Sequence, residues 1–98
     1  MPRVWVVNES GHNFEAAEEY GELVPLTQGK VNIFNTERLY AEFQEKMRNL
    51  QPEDWILLSG NMVLNILATM VALKRQGEVR MLIYDVINKE YVPREVKF

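Results

Sequence analysis

Two stretches of this chain decide most of what it can become. RVWVV, residues 3 to 7, and DWILL, residues 54 to 58, are near-continuous apolar runs rich in β-branched and aromatic residues. Each stops abruptly on short polar residues and glycine, Asn8-Glu9-Ser10-Gly11 after the first and Ser59-Gly60-Asn61 after the second. A strand with one wet face alternates apolar with polar residues. A run without that alternation needs cover on both faces, as in the central strands of a mostly parallel sheet. The two runs are therefore expected to be adjacent parallel strands.

The segments between them alternate in period. Asn13 can cap a short helix over FEAAEEY, with Glu15, Glu18 and Glu19 near its positive end and Gly21 as its stop. ELVPL reads as a second strand whose Pro25 cannot donate to a ladder, which places it at a sheet edge. TQGK turns the chain, and VNIF, residues 31 to 34, reads as a brief extended segment. Asn35 or Thr36 then caps a helix with Leu39, Tyr40, Phe43, Met47 and Leu50 at three- and four-residue steps, the pattern of a helix lying on a sheet. After DWILLSGN the segment NMVLNILATMVALKRQG gives the longest helix, stopped by Gly77. VRMLIYD is a further strand, and YVPREV returns as an antiparallel edge strand marked by Pro93. Strands alternating with helices predict one α/β domain over residues 1–98, a small three-layer, Rossmann-like fold with a mostly parallel sheet and an antiparallel edge strand.

Composition narrows the chemistry. With no cysteine and one histidine among 98 residues, the chain offers no disulfide scaffold, no thiolate zinc site, no cysteine nucleophile and no histidine metal cluster, so no metal or cofactor is expected. Eleven bases against fourteen acids give a formal net charge of -3, and the bases are scattered rather than clustered. Nucleic-acid binding is disfavoured, because nothing gathers the positive charge that releases counterions along a phosphate backbone. No apolar run reaches the roughly 20 residues of a membrane span or has the build of a secretory signal, so a cytoplasmic protein is expected.

In open α/β sheets ligands sit outside the carboxyl ends of the strands, where connections diverge to opposite faces. Both polar loops are such ends. His12, the only histidine, is the natural general acid or base if there is one, since histidine titrates near neutrality, and Asn8, Ser10 or Asn13 can orient it. The same residues also make a plain turn and helix cap, with Ser10-Gly11 turning the chain. Ser59-Gly60-Asn61 puts a glycine and two hydrogen-bonding side chains at a helix N-terminus, a place that favours an anion such as phosphate. One glycine is no dinucleotide fingerprint, and no GxxxxGK[ST] loop exists here. The ligand-binding set is thus Asn8, Ser10, Gly11, Ser59, Gly60 and Asn61, with His12 at the edge of a cleft shared by the two loops. Asp54 and Asp85 read as strand-end or turn aspartates.

The helix after Asn61 is apolar nearly all round, and a helix of that kind is buried on more than one side. One side meets the sheet. The other meets either the Leu39–Leu50 helix or a second chain, and a chain this small gains from an interface, since it buries only roughly two thirds of its unfolded surface. A homodimer through Leu64, Leu67 and Val71, with Asn65 and Thr69 hydrogen-bonded near the seam, is expected.

The motif order SGHNF, LTQGKVNIF, LLSGN and LIYD resembles that of small bacteriophage and prophage proteins of no assigned activity with a Rossmann-like α/β pattern. The resemblance spans most of the chain. It implies a compact phage accessory protein, favours a binding or inhibitory role against a host factor, and transfers no catalytic residue. Two functions are compatible with it. One is a non-catalytic module binding a host partner or a small anionic, nucleotide-like ligand at the strand carboxyl ends. The other is a small hydrolase or transferase on a nucleotide-like substrate, with His12 as acid or base and the Ser59–Asn61 loop holding the anion.

Overall fold

The computed structural model describes residues Met1–Phe98. Its strands are β1 (Arg3–Val6), β2 (Glu22–Pro25), β3 (Trp55–Leu57), β4 (Glu78–Asp85) and β5 (Glu90–Lys97), and its helices α1 (Thr36–Lys46) and α2 (Met62–Gln76). The two apolar runs lie side by side in parallel, Trp5 opposite Ile56. The sheet order is β2-β1-β3-β4-β5, parallel except for β5, which pairs antiparallel with β4. The chain is thus an α/β protein built on one mixed sheet.

Strand order explains how the faces are covered. From β1 the chain steps outward to β2, then reverses past β1 to reach β3 and β4. Crossovers between parallel strands are right-handed, so a reversal of direction forces the connection onto the opposite face. Burial obeys that rule. Trp5, Val7 and Ile56 pack with Leu39 and Phe43 of α1 and Leu64, Leu67 and Val71 of α2. Their alternates Val4, Val6, Trp55 and Leu57 pack on the other side with Phe14 and Ala17 of the first connection.

That first connection departs from expectation. Glu15–Tyr20 winds as a six-residue 3-10 segment, although Asn13 Oδ1 does accept the Glu15 N–H at 2.8 Å as the capping pattern requires. Six residues are too few to offset the cost of nucleating an α-helix, and one tight turn suffices to bury Phe14 and Ala17. VNIF is no strand either. Asn32 Oδ1 accepts the Phe34 N–H at 3.0 Å, so the segment turns into α1.

The two strand prolines, Pro25 and Pro93, sit at sheet edges, turned outward. Glu22 and Leu26 donate their N–H groups to Pro2 O and Val6 O, so the intervening Pro25 directs its nitrogen away from β1. On the far edge Leu58 N–H donates to Leu82 O, which turns Leu82 toward β3 and leaves its cross-strand neighbour Pro93 facing away from β4. Each open edge therefore lacks a donor, which blunts pairing with another strand. At the amino end, buried Asp54 accepts from Arg3 N–H at 2.9 Å, Trp5 Nε1–H at 3.1 Å and Gln51 N–H at 3.0 Å, tying β1 to the turn before β3. This is a structural aspartate. No helix is long and apolar enough to cross a membrane, and no three His, Asp or Glu side chains gather as a metal site.

Candidate functional site

At the carboxyl ends of β1 and β3 the two connections leave for opposite faces, and the residues between them are bonded to each other. Asn8 N–H donates to Ser59 Oγ at 3.0 Å, while the Ser59 hydroxyl donates to Asn8 O, also at 3.0 Å. The buried Asn8 amide reaches Thr27 Oγ1 at 2.8 Å and Gly29 O at 3.1 Å, bracing β1 against the end of β2. From the other side Asn65 of α2 accepts the Ser59 N–H and donates to Ser59 O and Asn61 O, each at 3.0 Å. Asn61 Oδ1 caps α2 by accepting the Val63 N–H at 2.8 Å. Gly60 completes the closure: its φ is 75°, and a Cβ there would lie 2.6 Å from Asn8 Cβ. Only glycine permits both that backbone conformation and that approach.

The bridge divides the crevice into two shallow clefts. One, of about 290 Å³, is lined by His12, Asn13, Phe14, Ser59, Gly60, Tyr84 and Tyr91. The other, of about 280 Å³, is lined by Asn8, Gly29, Lys30, Val31, Ile33, Asn61 and Leu64. His12 and the Ser59-Gly60 turn thus share a cleft, while Asn61 belongs to its neighbour. Ser10 and Gly11 are exposed and line neither; nothing lies within 4 Å of where a Gly11 Cβ would be. At the start of α2, where an anion is expected, Asn61 Oδ1 takes the Val63 N–H and Asn65 Oδ1 takes the Ser59 N–H.

The cleft beside His12 owes its walls to aromatic residues that the loop motifs do not single out. His12 meets Phe14 edge to face at 6.2 Å, and Tyr84 and Tyr91 stand 5.1 Å apart, tilted. Burial, and secondarily the neighbouring Tyr84, raises the Tyr91 pKa above the ordinary phenol value, so its hydroxyl stays protonated near neutrality. A second depression shares Tyr84, Tyr91 and Asn13 and adds Glu15 and Lys89. The tyrosine pair has a signal in the sequence. Tyr84 and Tyr91 are equidistant from the turn between LIYD and YVPREV, and a hairpin places such residues opposite one another.

Three of the residues expected at a dimer seam lie inside the chain. Leu64, Leu67 and Val71 are buried within the single chain, facing the sheet and α1, so none of them is free to meet a second copy. Asn65 brackets Ser59, and the Thr69 hydroxyl donates to Asn65 O at 2.7 Å. A helix apolar on every side gives no phase, and the outward apolar residues are Met62, Ile66 and Met70. Asp85 ends β4 as a turn aspartate, accepting from the N–H groups of Ile87 and Asn88 and from the Asn88 amide. Those bonds, the Asn88 side chain first, hold its carboxyl below the usual pKa.

No curated protein and no solved structure matches the chain. Residues 2–98, nearly the whole length on which this architecture is built, match the Phage Pam3 gp32-like protein family, and the chain belongs to that family.

Proposed function

We propose that this phage-family protein is a non-catalytic binding module that engages a host protein through the carboxyl end of its sheet. We further propose that its architecture is a reduced Rossmann-like three-layer fold. The strand order 2-1-3-4-5, with connections departing to opposite faces between β1 and β3, supports the fold assignment. The functional reading is carried by one observation: exposed Tyr84, Val86 and Ile87 project beside a shallow cleft, at 44%, 74% and 90% exposure. Large apolar side chains gathered at one end of a small protein favour a protein surface as the partner, and tyrosine is a preferred anchor.

A second reading, a small anionic, nucleotide-like ligand, is favoured by His12 opening onto an aromatic-walled cleft. The hydrolase or transferase alternative has less support, because the Ser59 hydroxyl, committed to Asn8, offers no enzyme nucleophile and leaves His12 only the activation of water or of a second substrate. Affinity capture from host extract, followed by binding of the purified partner, tests the first reading. Wild type and Glu42→Ala should bind alike, while Tyr84→Ala and Ile87→Asp should each weaken binding tenfold or more, as truncating an interface anchor does at about 2 kcal/mol. Equal binding by all four proteins overturns it. Calorimetric titration with nucleotides tests the second: binding by wild type that His12→Ala weakens would favour the small ligand.

A further inference from the structure

A different surface of the molecule carries two apolar faces that nothing in the chain covers. On the side of α2 away from the sheet, Met62, Ile66 and Met70 recur at four-residue steps and are 73%, 51% and 46% exposed. Beside α2 the sheet itself is bare. Ile83 alternates with Leu82, which packs toward the 3-10 segment, so Ile83 faces the helical side. Val96 pairs with Val79, which packs beneath α2, and so faces the same way. Ile83 and Val96 are 41% and 46% exposed: α2 covers β4 around Val79, short of Ile83, while β5 packs mainly on β4 and, across the sheet, on the 3-10 segment.

We propose that a second copy of this chain covers that surface, the outer side of α2 in each protomer lying on the bare β4–β5 face of the other. A helix with an apolar top needs a flat face, and an apolar sheet face needs a helix. A two-fold interface satisfies both at once, since each patch contacts the other in both directions. The area is that of a modest interface. Fifteen helical residues span about 22 Å at ~1.5 Å each and roughly 10 Å of width. The sheet left bare by α2 is β5, whose eight residues span about 26 Å at ~3.3 Å each, with the half of β4 around Ile83 adding about 13 Å, each across one strand spacing of roughly 5 Å. Two such patches per protomer give roughly 800 Å² for the pair, in the range of small, concentration-dependent interfaces. The two faces carry little charge: the charged residues of α2, Lys74 and Arg75, lie in its last turn, and Arg94 is the one charged side chain on the sheet face between Ile83 and Val96, and such depletion of charge suits the centre of a homodimer interface. Pairing through the strand edges is the competing route to a dimer, and Pro25 and Pro93 obstruct it.

The absence of cysteine makes a direct test possible. Light scattering of the wild type should report twice the 11.5 kDa chain, and a monomer at high concentration overturns the proposal. Ile66→Asp and Val96→Asp should each halve the mass with the circular dichroism spectrum unchanged, while Ile87→Asp should remain dimeric. Because either aspartate variant can fail to fold, Ile66→Cys and Val96→Cys proteins are also mixed and oxidised. A disulfide joining the two different variants is expected. Cross-linking of Ile66→Cys only to itself would mean helix on helix, and no cross-link would mean another surface; either result overturns the arrangement.

Discussion

The dipeptide Ser-Gly occurs after each central strand, and the two copies have opposite fates. Ser10-Gly11 lies exposed on the way to the 3-10 segment, its glycine surrounded by open space. Ser59-Gly60 is held from two sides, by Asn8 and by Asn65, and its glycine is pressed against the Asn8 side chain. The chain immediately downstream separates them. The second pair opens a fifteen-residue helix whose first turn supplies Asn65, whereas the first opens a loop with no partner placed to hold it. The residue types that suggest a ligand loop are, at β3, the bonds that fasten two strands and a helix together.

The sharpest way to break that comparison is to add one methyl group to each glycine. Gly60→Ala places a Cβ 2.6 Å from Asn8 Cβ at a φ of 75°, so backbone strain and overpacking act together. A loss of about 3 kcal/mol is expected, and with it a fall of more than ~10 °C in thermal midpoint. Gly11→Ala meets only the strain of a positive φ and should cost about 1 kcal/mol. Thermal denaturation monitored by circular dichroism reads both, and equal losses would mean that the close approach to Asn8 does not hold the loops together.

The serines give a smaller and more selective contrast. Ser59→Ala removes one donor and one acceptor and strands the Asn8 N–H and carbonyl, which should cost about 1–3 kcal/mol. Ser10→Ala touches nothing and should stay within about 0.5 kcal/mol. Combining Ser59→Ala with Asn65→Ala should cost less than the sum of the two by roughly 0.5 kcal/mol or more, because both belong to one network. Strict additivity in chemical denaturation would count against that network.

The fold is more legible in the sequence than the site, for reasons visible in particular residues. Non-alternating VWVV and WILL announce central strands, and Pro25 and Pro93 announce edges, because burial on two faces and loss of a donor are properties of a segment by itself. The 3-10 segment is hidden because FEAAEEY has helical composition but too few residues to nucleate a helix. The two carboxyl-end loops are legible as a location, yet the roles within them depend on partners distant in sequence. Ser59 is bonded to Asn8, 51 positions away, and no local pattern reveals such a pairing. For α2 the obstacle is phase. With apolar residues on every side, only the docked helix distinguishes buried Leu64 and Leu67 from outward Met62 and Ile66.

The smallest effect separates a charged turn from a neutral one. Asp85 fastens the β4–β5 hairpin as Asn61 fastens the start of α2, but through a carboxylate whose pKa is lowered by the Asn88 side chain, the Asn88 N–H and the Ile87 N–H. A carboxyl with a depressed folded-state pKa contributes in full above its ordinary value, about 3.9, and that contribution is lost as pH falls through the lower, folded-state value. The Ile87 and Asn88 amides should therefore lose protection from hydrogen exchange only at pH values below the ordinary aspartate range. The Asn8–Ser59–Asn65 network contains no ionisable group, so the Ser59 amide should show no corresponding step. In Asp85→Asn the hairpin step should vanish, since the amide oxygen still accepts the two N–H groups but no longer titrates. Corrected for intrinsic exchange rates, a hairpin step at the ordinary aspartate value would show that the three bonds do not favour the carboxylate, and a matching step at Ser59 would show that the two turns open together as one unit.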